Sequence, residues 1–123
     1  MAFGSQLNAW LGSQAALAIL GDLTTGATAA GTGQSTAYAI TTANTVFTTV
    51  GAGTGAKLPV TPTVSAKDRL HVANHGANTL AVYPPTGGKL SNRTANVPAL
   101  VAPNKSADFL CLDGTNYSAL LGA

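Results

Sequence analysis

The fold is decided by residues 67–90, which have the sequence KDRLHVANHGANTLAVYPPTGGKL. Two segments of this stretch, 69–74 and 79–83, alternate between apolar and other side chains, as strands do when one face is buried. The side chains predicted to face the core are Leu70, Val72, Leu80 and Val82. The HGAN sequence at 75–78 is typical of a hairpin loop, so the two strands are expected to pair antiparallel.

Strand and turn signals continue on the upstream side. Residues 37–40 and 45–50 are rich in β-branched and aromatic side chains, and a turn is predicted between them at 42–44. Pro84 and Pro85 close the central stretch, because neither residue can donate a hydrogen bond to a sheet ladder.

The downstream end contains the clearest local signal. Residues 108–112 and 115–121 flank Asp113 and Gly114, a pair typical of a two-residue type I′ hairpin turn. Several short strands at this spacing predict a mainly β domain over residues 35–123. We expect a small antiparallel sandwich or barrel.

Residues 1–34 are predicted to form a separate N-terminal helix and flexible arm. Ser5 is a plausible N-cap, Gly21 a plausible stop, and the small residues at 24–33 suit an extended linker. Apolar side chains fall near helical spacing at Leu7, Trp10, Leu11, Leu17 and Leu20. This stripe either contacts a partner protein or packs on the β-domain of its own chain.

Charged residues are scarce. Asp, Glu, Lys and Arg make up 8% of the 123 residues, against roughly 25% in an average soluble domain. Asp22 is the single charged side chain before Lys57. Because charge keeps monomers apart, we expect much of the surface to be covered by other protein, as in a homo-oligomer.

The charge distribution and the apolar segments argue against two classes of partner. The six Lys and Arg residues are scattered, which does not favour nucleic acid. The apolar segment 14–20 is shorter than the roughly 20 residues that span a bilayer, so no membrane contact is expected. No basic residue precedes it, so synthesis and retention in a cytoplasm are predicted.

Catalytic candidates are few, and we expect no enzyme activity, no metal and no cofactor. The chain has no Glu, and each of its four aspartates has a structural explanation nearby; the candidates for acid–base chemistry are Asp22, Asp68, Asp108, Asp113, His71 and His75. His71 and His75 lie on a predicted strand and its turn, which does not bring them onto one face. Cys111 lies in an apolar run and is predicted to be a buried, inert thiol.

The central stretch resembles a β-domain that recurs in small virion proteins of tailed phages. Their pattern has Asn, Gly, Ala, Asn and Val-Tyr-Pro in this order, followed later by Asp-Gly-Thr and an aromatic residue. The matching positions are Asp68, Val72, Asn74, Gly76, Ala77, Asn78, Leu80, Val82, Tyr83, Pro84, Asp113, Gly114, Thr115 and Tyr117. The resemblance covers roughly residues 35–121.

The resemblance implies a capsid decoration (cement) protein on the phage head surface. Its partners would be the major capsid protein lattice and further copies of itself in a trimer, and its action would be to stabilise the shell. The hypothetical contact residues are Leu7, Trp10, Leu11, Leu17 and Leu20. The alternative is a head-fibre or tail component that recognises the host, with Tyr83 beside residues 74–78 as its binding surface.

Overall fold

The protein is described here by a computed structural model, which covers residues 23–60, 64, 68–113 and 115–121. Within these residues, nine strands form two sheets. The strands are β1 (Leu23–Thr28), β2 (Tyr38–Ala39), β3 (Asn44–Thr49), β4 (Gly55–Lys57), β5 (Arg69–Asn74), β6 (Leu80–Tyr83), β7 (Ala99–Val101), β8 (Lys105–Cys111) and β9 (Tyr117–Leu121). A short 3-10 turn, Gln34–Thr36, lies between β1 and β2.

The first six strands alternate between the two sheets. Strands β1, β3 and β5 lie side by side in the five-stranded sheet, and β2, β4 and β6 lie side by side in the four-stranded sheet. All of these neighbours are parallel. The chain therefore winds through three successive rungs, and each rung contributes one strand to each sheet.

The last three strands close this winding in the antiparallel sense. Strand β7 pairs with β6 in the four-stranded sheet, whereas β8 pairs with β5 and β9 pairs with β8 in the five-stranded sheet. The prediction of a mainly β protein is confirmed. The prediction that it is antiparallel is wrong, because both sheets are mixed, and the sheets do not close into a barrel.

The loop predicted at 75–78 is a corner between sheets and not a hairpin. It joins β5 in the five-stranded sheet to β6 in the four-stranded sheet. The turn predicted at 42–44 likewise leads from one sheet to the other, from β2 to β3. A corner and a hairpin use the same turn-forming residues, so the local pattern does not distinguish them.

The segment 24–33 is largely a strand with its following corner, so its prediction as a linker is wrong. Strand β1 pairs with β3, and Ala27 and Ala29 belong to the buried core. Small side chains suit this position, since the chain approaches the core closely there. The predicted helix of the arm lies outside the described residues.

The predicted terminal hairpin is confirmed, but its loop is longer than two residues. The last pair of the β8–β9 ladder is Cys111 with Tyr117, which leaves residues 112–116 in the loop. The Asp113 carboxylate accepts hydrogen bonds from the backbone N–H groups of Thr115 and Asn116, at 3.0 and 3.1 Å. These bonds fix a wider turn than the type I′ geometry that the sequence suggested.

The core lies between the two sheets. The predicted inward side chains Leu70, Val72, Leu80 and Val82 are all buried. The largest fully buried side chains of the core are Tyr117, Phe47, Phe109, Leu58, Leu80 and Leu90. The alternation in the sequence therefore identified the buried side chains correctly, although the predicted pairing of the two strands was wrong.

Candidate interaction surface

The structure brings one pair of the predicted acid–base candidates together. Asp108 on β8 lies directly opposite His71 on β5, and its Oδ1 is 2.8 Å from Nδ1 of the imidazole. Both side chains are part-exposed on the face of the five-stranded sheet that points away from the core. The sequence analysis missed this pair, because the two residues are 37 positions apart and no local pattern indicates the register between their strands.

The remaining candidates are scattered over the described part of the chain. His75 is exposed at the corner after β5, Asp68 precedes β5, and Asp113 lies in the terminal loop. Asp22 lies outside the described residues. Among the residues described, no group of three or more His, Cys, Asp or Glu side chains is placed to hold a metal ion.

Cys111 is buried, as predicted. Burial raises the pKa of its thiol, and the negative charges of Asp68 and Asp113 raise that pKa further. The Sγ atom donates a hydrogen bond to the backbone oxygen of Asp113 at 2.9 Å. A raised pKa keeps the sulfur protonated, and the thiol is the less reactive form.

The residues that carry the phage resemblance have structural roles at the corner after β5. Asn74 is fully buried, and its Nδ2 donates to the backbone oxygens of Asn78 and Val101, both at 2.8 Å. Its Oδ1 accepts from the N–H of Gly76 at 2.9 Å. Asn78 in turn donates to the backbone oxygen of Val50. The corner is thus held by two asparagine side chains.

The outward face of the β8–β9 hairpin carries an apolar patch. Leu110 and Leu120 lie on this face, and Leu112 continues the alternation just beyond β8. Leu120 is 66% exposed and Leu112 is 52% exposed. Leu120 is opposite Asp108, so the patch borders the His71–Asp108 pair. We call Leu110, Leu112 and Leu120 the hairpin patch.

A groove of about 370 Å3 opens where β2, β4 and β6 end. Its lining includes Ile40, Thr41, Lys57, Leu58, Pro59 and Pro85. Lys57 is the charged side chain among these, and the rest of the lining is largely apolar or hydroxylic. This composition is suited to packing against a side chain or a chain segment, and it offers no acid–base pair for catalysis.

The sequence analysis made two further predictions of contact residues. Leu7, Trp10, Leu11, Leu17 and Leu20 are outside the described residues, so their contact remains a prediction. Tyr83 and the corner at 75–78 lie at opposite ends of β6, which does not bring them into one surface. Within the described part of the chain, no helix has the length and apolarity needed to cross a membrane.

The chain was compared with family models, with curated proteins and with solved structures, and none of the three comparisons gave a match.

Proposed function

We propose that this protein is a structural virion protein that decorates the outer surface of a tailed-phage head. It stabilises the shell by protein–protein contacts with the major capsid protein lattice, and it binds there as a trimer. The phage context is inferred from the resemblance, which covers roughly residues 35–121, and the assembly is inferred from the low charge and the exposed apolar side chains of the surface.

The hairpin patch is the observation that carries the proposal. Three leucines share one outward face in a chain with ten charged side chains among 123. Apolar patches on protein surfaces mark interaction sites when they are contiguous and bordered by polar groups. The His71–Asp108 pair provides such a polar border, because it neighbours Leu120 across the sheet.

Because the contact is repeated at many sites of the capsid lattice, a small contact area on each copy is sufficient to stabilise the shell. Burial of apolar surface stabilises by about 25 cal/mol per Å2. A trimer that engages three lattice sites adds the effect of multivalency, since the second and third contacts form within a complex that already exists. Shell stabilisation therefore requires no large interface on each copy.

Co-sedimentation with purified shells tests the proposal. The protein is mixed with expanded heads that lack it, the heads are pelleted through a density cushion, and bound copies per shell are counted. We expect saturation at a high copy number spread over the head. A few copies confined to the tail would favour the host-recognition alternative, and no binding to either structure would overturn the proposal.

The predicted contact through the N-terminal residues is measured in the same experiment. Trp10→Ala removes the largest apolar side chain of that stripe, and tryptophan is the residue type most enriched at interface hot spots. A copy number equal to that of the unsubstituted protein would show that these residues are not the anchor. The contact would then be assigned to the hairpin patch.

A further inference from the structure

The first rung of the winding has an open edge. The first rung comprises residues 23–43, which form β1, β2 and the connections next to them. Each of its two strands is the first strand of its sheet. On its outer side no described strand pairs with β1 or β2. Among the residues that the structure describes, the backbone groups on that side of the two strands thus have no strand partner.

This edge lacks the features that usually protect an edge strand. Residues 23–43 contain no Asp, Glu, Lys, Arg or Pro. Leu23, at the start of β1, is 56% exposed. Proteins normally blunt an edge with charge, proline or a covering segment, since an unprotected edge pairs with other chains.

The opposite edges of the same two sheets are protected. On β9, the N–H of Tyr117 donates to the oxygen of Lys89 at 3.0 Å, and the N–H of Ser91 donates to the oxygen of Tyr117 at 2.8 Å. The hydroxyl of Ser91 accepts from the N–H of Ala119 at 3.0 Å. On the other sheet, β7 lies between Pro98 and Pro103. As far as residues 23–60, 64, 68–113 and 115–121 show, the first rung is thus the end without such protection.

The chain that precedes β1 has the length to cover this edge. Leu23 pairs with Asn44, 21 positions later, and Asn44 pairs with His71, 27 positions later, so the two successive rungs of this sheet take 21 and 27 residues. The sequence supplies 22 residues before Leu23. The hydroxyl oxygens of Thr24 and Thr42 are 2.9 Å apart, so the start of β1 lies beside the corner between β2 and β3. Thr41, which precedes Thr42 in the chain, lines the groove.

We propose that residues 1–22 cover the first rung of their own chain. Their apolar side chains, Leu7, Trp10, Leu11, Leu17 and Leu20, pack along β1 and β2 and reach the groove at the adjoining corner. Structures built of stacked repeats require such a terminal cap, because the last repeat otherwise exposes the surface that its neighbours bury. This is the alternative to a capsid contact by the same residues, and it does not rest on the proposed function.

Trp10 reports directly on this arrangement, because it is the single tryptophan of the chain. In the unsubstituted protein we expect its fluorescence to be shielded from acrylamide, equally at low and high protein concentration. Leu23→Lys places a charge under the covering segment, and the cost of burying it shifts the covered state toward the open one by about tenfold or more. Acrylamide quenching of Trp10 should then rise, with the β-sheet circular dichroism retained.

Leu100→Lys is the matched control. Leu100 is 58% exposed and also lies on an edge strand, but at the protected end of the four-stranded sheet. We expect its substitution to leave Trp10 shielded. If Leu23→Lys fails to fold, Thr25→Lys replaces it, because Thr25 is exposed on the same strand.

Three results would overturn the proposal. The first is that Trp10 of the unsubstituted protein is quenched as strongly as free indole. The second is that Leu23→Lys, or Thr25→Lys in its place, leaves the quenching of Trp10 unchanged. The third is that the shielding of Trp10 disappears on dilution. The last result assigns the cover to a neighbouring copy. Since no phage particle enters the measurement, its outcome is independent of whether the protein decorates a head.

Discussion

The side chain of Asn74 joins the two sheets, because its Nδ2 donates to the backbone oxygen of Val101 at 2.8 Å. Asn74 ends β5 in one sheet and Val101 ends β7 in the other. The bond is buried, and both remaining groups of the amide have partners in the corner that follows β5. A single polar side chain thus fixes the separation of the sheets at this end of the core.

Replacing Asn74 should be costly for stability. Asn74→Ala leaves the N–H of Gly76 and the oxygens of Asn78 and Val101 without their partner, and we expect a loss of about 2–4 kcal/mol in the free energy of unfolding. Asn74→Asp keeps the acceptor and loses the donor, so it should be equally harmful. Urea denaturation measures both. Asn92→Ala, at an exposed position, should change stability by less than about 0.5 kcal/mol.

Gly76 is required by the close approach of a neighbouring strand end. A Cβ atom at this position would lie 2.7 Å from the side chain of Val50 and 2.8 Å from its backbone nitrogen. We expect Gly76→Ala to lower the free energy of unfolding by about 1–3 kcal/mol. Gly33→Ala is the control, because Gly33 is extended and a Cβ there meets nothing within 4 Å. Equal unfolding midpoints for the two variants would contradict the close approach.

Asn116 lowers the pKa of Asp113. Its side chain donates to both carboxylate oxygens, and the N–H groups of Thr115 and Asn116 add further hydrogen bonds to the charged form. A carboxyl with a lowered folded-state pKa contributes stability above its ordinary value near 3.9, and that contribution is lost as the pH falls through the lower value. Carboxyl NMR titration of Asn116→Ala should show the pKa of Asp113 rising toward normal, whereas Asn92→Ala should leave it unchanged.

Tyr117 is expected to stabilise the protein through its buried hydroxyl. The hydroxyl donates to the backbone oxygen of Pro59 at 2.6 Å, and Tyr117→Phe should cost about 1–2 kcal/mol in thermal or urea unfolding. Tyr83→Phe, on a part-exposed side chain, is the comparison and should cost less. If the two substitutions lower the free energy of unfolding equally, loss of the hydrogen bond to Pro59 does not explain the effect of Tyr117→Phe.

The same residue should give an alkaline limit to stability. Burial raises the pKa of the Tyr117 phenol, and the neighbouring Cys111 raises it further. A raised folded-state pKa means that the contribution is complete below the ordinary tyrosine value near 10 and is lost as the pH rises above it. This part of the alkaline destabilisation should be absent from Tyr117→Phe, and its persistence there would point to another group.

The hairpin patch should be the surface that binds shells. Leu120→Lys places a charge on its most exposed leucine, and loss of an interface hot spot costs more than about 1 kcal/mol, or roughly fivefold in affinity. Copies bound per shell at sub-saturating concentration should fall accordingly. Leu100→Lys changes an equally exposed leucine on the other sheet and should bind normally. Equal loss in both variants would place the contact elsewhere or make it nonspecific.

The sequence predicted the elements whose determinants are local. Alternation over residues 69–74 and 79–83 identified the buried sides of β5 and β6, because the side chains of an extended strand alternate wherever it pairs. The terminal hairpin followed from the turn residues that precede Tyr117. Each of these predictions depends on a few adjacent residues.

The parallel winding could not be predicted in the same way. It depends on Leu23, Asn44 and His71 lying in one row across three strands, at separations of 21 and 27 residues. No local pattern specifies that register. The His71–Asp108 pair was missed for the same reason. The role of Asn74 had a local signal, since an asparagine side chain often bonds to the backbone two residues later, but the hairpin interpretation assigned it no such role.

The mixed sheet also has a consequence for how the chain is made. Strand β5 pairs with the earlier strand β3 on one side and with the later strand β8 on the other. At synthesis rates of about 5–20 residues per second, several seconds pass before β8 follows β5 from the ribosome. During that interval the edge of β5 that will pair with β8 has no partner. It is then exposed to other copies of the chain that are being synthesised on the same mRNA. Expression at a lower temperature or with additional chaperones should therefore raise the yield of folded protein.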